Sequence, residues 1–330
     1  MKYCIGIDVG GMSAKAGLFL EDGTLVGKWS VPTVTGDNGK HIYDDAAALV
    51  REKLEELSID RKDLLGAGIA MPGPVYSDGY LGMCSNIFTS GGYPAQEISE
   101  RLYGIKSVSA NDANAAAFGE MWQGAGKGCS SLCMVTLGTG VGGGMILGGE
   151  IVEGFYGAAG EIGHVKVEDR EPESCNCGGS GCCEYYASAT GLVRVAKRLA
   201  ANGDPLIPVV PGKELMYPES RIAQLGDDLK AKDVCLLAKD GDELSLKAVE
   251  FSMDKLARAL SYVTLVADPE VFVIGGGLSK SGDLLLPILR EKLLEYIPVI
   301  TERNRNIMTA KLGSDAGIYG AAALSLYKVY

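Results

Sequence analysis

Two stretches far apart in the chain, residues 2–31 and 130–152, are built on one plan, and that repetition limits the possible folds more than any other feature. In the first, YCIGIDV runs into a glycine bend, AKAGLFL comes straight back, an Asp22-Gly23 turn follows, and TLVGKWSV closes the unit. In the second the order recurs as SLCMVTL, GTGVGGG, MIL, a Gly148-Gly149 turn and EIV. Short apolar runs joined by such dipeptides are hairpin signals. Two copies predict two related lobes facing each other across a cleft. Around them, helical and strand-like runs alternate. HIYDDAAALVREKLEEL and LSLKAVEFSMDKLARALSYVTLVA have helical spacing, whereas LLGAGIAMPGPV, IKSVSA and VFVI read as buried strands. SDAGIYGAAALSLYKVY reads as a small-residue helix that needs a partner to pack on. Alternation of this kind means α/β layers.

A chain of 330 residues with 47% apolar content suggests two domains with real cores. No apolar run is long enough to span a bilayer. Met1 leads at once into a strand-like segment without a charged-then-apolar leader, which points to the cytoplasm. The net charge of −11, with no Lys/Arg run, argues against a nucleic-acid partner. An anionic ligand would therefore be held by local dipoles, not by the overall field.

The segment EIGHVKVEDREPESCNCGGSGCCE, residues 161–184, sets His164 upstream of Cys175, Cys177 and Cys182, with glycines filling the gaps. One imidazole and three thiolates form a tetrahedral zinc set, and with all four positions filled by side chains the zinc is structural. The competing readings are free core cysteines or a disulfide. An odd count of nine cysteines and the missing leader weigh against the disulfide. Glu161 and Glu184 bracket the cluster and are poor candidates for a filled zinc shell, so the metal is expected to hold them toward something else.

Asp8, Gly10, Gly11, Ser13 and Lys15 follow the first strand. Glycines let backbone N–H groups converge on phosphate oxygens, Ser13 adds a hydroxyl, Lys15 a cation, and Asp8 a carboxylate for magnesium held through water. A tight hairpin without ligand explains the same residues. The second loop, Gly138-Thr139-Gly140-Val141-Gly142-Gly143-Gly144, contains G-x-G-x-x-G, but a strand follows it where a dinucleotide fingerprint needs a helix. A third loop, Gly275-Gly276-Gly277, does lead into a helix and could carry a nucleoside or be a plain strand-to-helix turn. No G-x-x-x-x-G-K-[ST] is present. Asn111-Asp112-Ala113-Asn114 opens a helix. One of its polar residues is explained as an N-cap. A carboxylate at such a junction can also take the proton of a substrate hydroxyl, the one carboxylate that phosphoryl transfer requires.

Taken in order, DVGGMSAK, NDAN, LGTGVGGG, GEIGH, CNCGGSGCCE and VIGGG make the chain resemble the ROK family of bacterial sugar kinases, its glucokinase-like members above all. The resemblance implies an α/β, actin-like and hexokinase-like (ribonuclease H-like) duplicated fold, with two lobes around a central cleft. It implies a small lobe over residues 1–115, completed by a C-terminal helix at 314–330, and a large lobe over 116–313 with the zinc loop. The implied activity is ATP-dependent phosphorylation of a hexose, glucose first, at the 6-hydroxyl. Asp112 would be the base. Asn86 and Asn111 would hold sugar hydroxyls, and Glu161, His164 and Glu184 would contact the sugar near its first two carbons. Asp8, Gly10, Gly11, Ser13 and Lys15 would face the phosphates of Mg-ATP from one lobe, with Gly138, Thr139 and Gly140 opposite. Gly276 and Gly277 would lie near the adenosine. The implied partners are sugar and ATP, with neither nucleic acid nor membrane, and the implied assembly is a homodimer or a tetramer.

Two departures from the family pattern stand out. Met12 replaces the threonine of the usual GGT, which leaves Ser13 to supply the hydroxyl. IFTSGGYP after Asn86 lacks the tryptophan expected of glucokinases, which keeps N-acetylglucosamine, N-acetylmannosamine and fructose among the substrates. A sugar-responsive repressor would need a helix-turn-helix before the first loop, and the loop begins at residue 8. A sugar-binding regulator without kinase activity is the remaining rival, against which Asp112 and Lys15 speak.

Overall fold

The computed structural model describes residues 1–35, 39, 41–76, 79–82, 87, 94–299, 301 and 306–327. Asn86 lies outside them. The chain forms β1 (Tyr3–Val9), β2 (Ser13–Leu20), β3 (Leu25–Pro32), α1 (Ile42–Glu56), β4 (Leu64–Met71), α2 (Ala95–Tyr103), β5 (Ser107–Asn111), α3 (Asp112–Gln123), β6 (Leu132–Leu137), β7 (Val141–Leu147) and β8 (Glu150–Ile151). It continues with α4 (Glu184–Ala187), α5 (Ala189–Asn202), α6 (Arg221–Leu225), α7 (Ala231–Lys239), α8 (Glu243–Ala267), β9 (Val271–Gly275), α9 (Gly282–Tyr296), β10 (Asn306–Thr309) and α10 (Ala316–Tyr327). Among the described residues no helix is long and apolar enough to cross a membrane.

The strand order is β3-β2-β1-β4-β5 in one sheet and β10-β9-β6-β7-β8 in the other. Read from the hairpin edge, both sheets follow one scheme: third, second, first, fourth, fifth strand. The internal repeat seen in the sequence is thus a repeat of topology. In the first sheet β1 pairs antiparallel with β2 and parallel with β4, and in the second β9 and β10 are parallel. The GG turn between β7 and β8 has both glycines in the left-handed region, Gly148 at φ 59° and Gly149 at φ 85°, as a type I′ hairpin requires. One expectation fails. The sequence reads residues 142–144 as loop, but β7 already starts at Val141. A Cβ on Gly144 would lie 2.5 Å from the Ala113 carbonyl, so glycine here permits close approach to α3 within a strand.

The chain divides into two compact units. One comprises Met1–Leu132, Gly144–Gly160 and Lys311–Tyr330, the other Cys133–Gly143 and Glu161–Ala310.

In the first unit the alternation of β1 sorts its side chains. Ile5 and Ile7 join Ala16 and Leu18 of β2 and Ile42, Ala46 and Val50 of α1 in one core. Cys4 points the other way, into a cluster with Phe19, Ile318 and Ala322. Gly6 shares that second face, and a Cβ there would come within 1.9 Å of the Ile318 carbonyl. Gly68 of β4 meets the Ala321 carbonyl in the same way, at 1.8 Å. The small-residue helix α10 therefore packs directly on backbone. The next residue on the α10 face of β1 is Asp8, whose carboxyl carbon would lie 2.6 Å from a Cβ on Gly317 in the first turn of α10. In the second unit, Cys133, Val135 and Leu137 of β6 and Phe272 and Ile274 of β9 pack with Val249, Met253, Leu256 and Leu260 of α8.

Candidate active site

Within the first unit the loop after β1 is closed by two backbone hydrogen bonds, Gly10 N to Ser13 O at 3.0 Å and Thr33 N to Met12 O at 3.0 Å. The Thr33 hydroxyl also donates to Gly10 O at 2.6 Å. Thr33 was not singled out from the sequence, since a threonine ending a strand carries no signal of its own. Met12 is 91% exposed, so the residue that departs from the family pattern fills no core position. Lys15 donates to Ser314 O at 2.6 Å, which ties the loop to the segment before α10. Burial pushes the Asp8 carboxyl up to about 6. The Lys15 ammonium works against the shift, and the Asp112 and Asp315 carboxylates add to it.

Asn111 is the N-cap of α3. Its side-chain oxygen accepts from Ala113 N at 2.9 Å and Asn114 N at 3.2 Å, and its amide donates to Gly73 O at 3.0 Å. The oxygen of Asn111 thus fixes the helix start, while its amide ties that start to Gly73. Asp112 is the first residue of α3, and its Oδ1 accepts from Ala113 N at 2.8 Å.

Within the second unit, the loop at 138–140 is fastened to the start of α5. Gly138 N donates to Gly140 O at 3.0 Å, Ala189 N to Gly138 O at 2.8 Å, and the Thr190 hydroxyl to Thr139 O at 2.7 Å. Ser188 caps α5 by accepting from Gly191 N at 2.9 Å. A Cβ on Gly140 would lie 2.7 Å from Glu184 Oε2, so the loop abuts the carboxylate that closes the cysteine-rich segment. Gly276, at φ 80°, backs onto Leu137, where a Cβ would lie 2.5 Å from the carbonyl oxygen, while Gly277 stands in open space. A polar cavity of about 530 Å³ opens beside these groups, walled by Thr139, Gly140, Asn176, Glu184, Ser188 and Arg194. Arg194 lies 3.7 Å from the centre of the Tyr185 ring and donates to Tyr185 O at 2.7 Å. No pattern marks it in the sequence, because an arginine in an amphipathic helix looks like any solvated face.

His164, Cys175, Cys177 and Cys182 come together with their donor atoms all within 4.8 Å of one another. Cys177 and Cys182 sulfurs are 3.5 Å apart. Zinc–sulfur bonds of 2.3 Å imply about 3.7 Å between ligands of a tetrahedron, so the four donors fit one zinc ion in number, softness and spacing. The turn is shaped by Gly178, at φ 87°, and by Gly181, at φ 72°, where a Cβ would lie 1.7 Å from Glu168 O. Two carboxylates flank the histidine: Glu184 Oε1 is 3.7 Å from Nδ1 and Glu161 Oε2 is 3.9 Å from Nε2. The structure thus gathers Glu161, His164 and Glu184 at the cysteine cluster.

The sequence profile of the ROK family matches residues 4–328. A glucokinase from Halalkalibacterium halodurans is 35% identical over 98% of this chain and 94% of its own. An N-acetyl-D-glucosamine kinase from Vibrio cholerae is 28% identical over 97% of this chain and 99% of its own. The crystal structure of a ROK family glucokinase from Streptomyces griseus, in complex with glucose and AMPPNP, is 31% identical, covers 98% of each chain and superposes with a TM-score of 0.73. The duplicated α/β architecture is accordingly the actin-like, hexokinase-like fold.

Proposed function

Because the chain belongs to the ROK family, we propose that it transfers the γ-phosphoryl group of ATP to the 6-hydroxyl of a hexose, with glucose as the first substrate. The observation that carries this reading is the 35% identity to a glucokinase across almost the whole chain, with Asp112 in place at the start of α3.

Phosphoryl transfer demands little covalent chemistry from a protein: placed phosphates, a metal ion brought by the nucleotide and one carboxylate to orient the nucleophile. Asp112 takes the proton of the sugar hydroxyl as that oxygen attacks the γ-phosphorus in line, and ADP leaves with the magnesium. Asn111 sets the geometry of this base by capping α3. The backbone of residues 10–13 and that of 138–140 receive the phosphates, and Lys15 balances their charge. Asp8 reaches the nucleotide's magnesium through water. Gly276 and Gly277 lie near the adenosine, and Gly277, which stands in open space, leaves room for it. Asn86 and Asn111 hold sugar hydroxyls, and Glu161, His164 and Glu184 contact the sugar near its first two carbons. Exclusion of water around the nucleotide limits hydrolysis.

His164, Cys175, Cys177 and Cys182 would hold a structural zinc, which supplies a rigid cross-link and no open coordination position. Its value to this reaction is to fix His164 and the neighbouring Glu184 as a support behind the sugar. The eight described cysteines are all free thiols, which suits a cytoplasmic enzyme. A homodimer is the expected assembly, and sedimentation tests it.

The second reading is an N-acetylhexosamine kinase, favoured by the 28% identity to an N-acetyl-D-glucosamine kinase over 97% of the chain. ADP release with Mg-ATP across glucose, N-acetylglucosamine, N-acetylmannosamine, fructose and no sugar decides between them. Preference for glucose upholds the first reading, and preference for an N-acetyl sugar replaces it with the second. No activity on any hexose refutes both.

A further inference from the structure

Glu120 sits on α3 about two helical turns beyond Asp112 and is completely buried, at 0% exposure. Its carboxylate meets three backbone donors. Ala125 N and Lys311 N donate to Oε2 at 2.7 and 3.1 Å, and Leu312 N donates to Oε1 at 2.7 Å. Its main-chain carbonyl accepts from Gly124 N at 3.1 Å and Gly126 N at 2.9 Å. Gly124 leaves the space this requires, since a Cβ there would lie 2.0 Å from Glu120 Oε2. One side chain therefore joins the end of α3 to a segment 191 and 192 positions later in the chain. Lys311 is also the residue at which the chain re-enters the first unit, and the segment it begins leads into α10.

Burying a carboxylate is costly unless hydrogen bonds replace its water. An apolar side chain would fill this position without that cost. What only a carboxylate supplies is simultaneous acceptance from donors on two distant segments. Those segments matter to the chemistry. The helix that Glu120 anchors begins with Asp112, and the helix that follows Leu312 sets Gly317 against Asp8. We propose that Glu120 is a positioning residue for phosphoryl transfer, its carboxylate locking the helix that carries the base to the helix start that backs the magnesium-facing carboxylate. The role rests on the kinase reading above. A displacement of 1 Å at a reacting group costs about 100-fold in rate, so a loosened clamp shows in turnover.

The test uses the full-length protein and its E120Q and E120D variants. In the first an amide group faces three N–H donors, and in the second the side chain is too short to reach both segments. Turnover, KM for glucose and ATP, and amide exchange along the chain are measured together. The expected result is a fall in kcat of about tenfold or more with the glucose KM within about twofold of wild type. Exchange should accelerate at Ala125, Lys311 and Leu312 while the amides of β9 and α8 keep their protection. G124A, which drives a methyl group into the carboxylate, should reproduce the pattern. Wild-type kcat in E120Q overturns the role, and so does a loss of kcat accompanied by loss of protection throughout the chain. Should E120Q fail to fold, the wild type decides: Lys311 and Leu312 amides that exchange as fast as exposed turns show that no clamp exists. A wild type that phosphorylates no hexose overturns the kinase reading and this role with it, whereas an active wild type with an unimpaired E120Q overturns this role alone.

Discussion

Cys175 Sγ lies 3.1 Å from Glu184 Oε1, so a thiol of the proposed zinc set and a carboxylate proposed for the sugar are in direct contact. The same oxygen is 3.7 Å from Nδ1 of His164. Whatever displaces the cysteine-rich turn displaces Glu184. Cys177 is the exposed cysteine of the set, so its change to serine spares the core. Cys177→Ser is expected to lower bound zinc and raise the glucose KM, in the range of about 10–100-fold seen when the support of a metal site is weakened. Metal analysis beside steady-state kinetics checks this. A zinc-free variant with the wild-type KM would show that the metal does nothing for the sugar.

Asp112→Asn is expected to lose at least about 100-fold in kcat. The substitution keeps the side chain's size and its acceptance from Ala113 N, so α3 should start where it does now. Loss of turnover with glucose binding retained, measured by calorimetry, is the signature of a missing base. Turnover near that of wild type would remove Asp112 from the mechanism.

The fold was legible because both devices that specify it are local. Hairpin dipeptides at Asp22-Gly23 and Gly148-Gly149 announce the repeat, and the alternation in YCIGIDV announces a strand with two different faces. The gathering of three thiols was legible for a related reason: the spacing of Cys175, Cys177 and Cys182 within one short turn is written in the sequence, with His164 joining them from upstream. What escaped was everything that depends on a distant partner. Gly144 looked like loop until Ala113 stood opposite it. Glu120 carried no signal because the Lys311 segment is far away in the chain, and Arg194 looked like a solvated arginine because its stacking on Tyr185, across the junction of α4 and α5, follows no helical spacing. Asn111 was readable both as cap and as ligand, and the structure shows its oxygen capping α3 and its amide bonded to Gly73.

Asp8 gives a pH-dependent prediction whose sign follows from its environment. Burial holds its carboxyl at about 6 in the folded chain against an ordinary value of 3.8, with Lys15 opposing and Asp112 and Asp315 reinforcing the shift. The folded state thus binds the proton more tightly than the unfolded state. Below both values the carboxyl is neutral in each state and costs nothing. As pH rises through the folded value the buried charge appears, and stability falls. Asp8→Asn is therefore expected to stabilise the protein in magnesium-free buffer by about 1–3 kcal/mol above pH 6, with the gain fading as pH drops toward 4. The same variant should lose activity, since the amide no longer attracts hydrated magnesium. Thermal unfolding at pH 5 and pH 8 checks the sign. Equal shifts at both would show that Asp8 is not held uncharged.

Arg198 and Glu171 form a two-point ion pair almost sealed from solvent, with side-chain exposures of 1% and 0%. Arg198 Nη1 donates to Oε2 at 2.8 Å and Nη2 to Oε1 at 2.9 Å, while the Tyr186 hydroxyl donates to Oε2 at 2.7 Å. Burial resists ionisation of Glu171, and the arginine outweighs it, so the carboxyl stays below its ordinary range. The pair connects α5 to the irregular segment that leads into Cys175, with Glu173 as a second carboxylate on the same guanidinium. Removing one member strands the other in the core. Arg198→Met is expected to cost about 3–5 kcal/mol, read by chemical denaturation. The double variant with Glu171→Met should be less damaged than the single one, because it leaves no unpaired charge in the core, Glu173 being half exposed to solvent. That ordering separates a buried ion pair from ordinary packing: were the arginine important only for the volume it fills, the double variant would be the worse of the two.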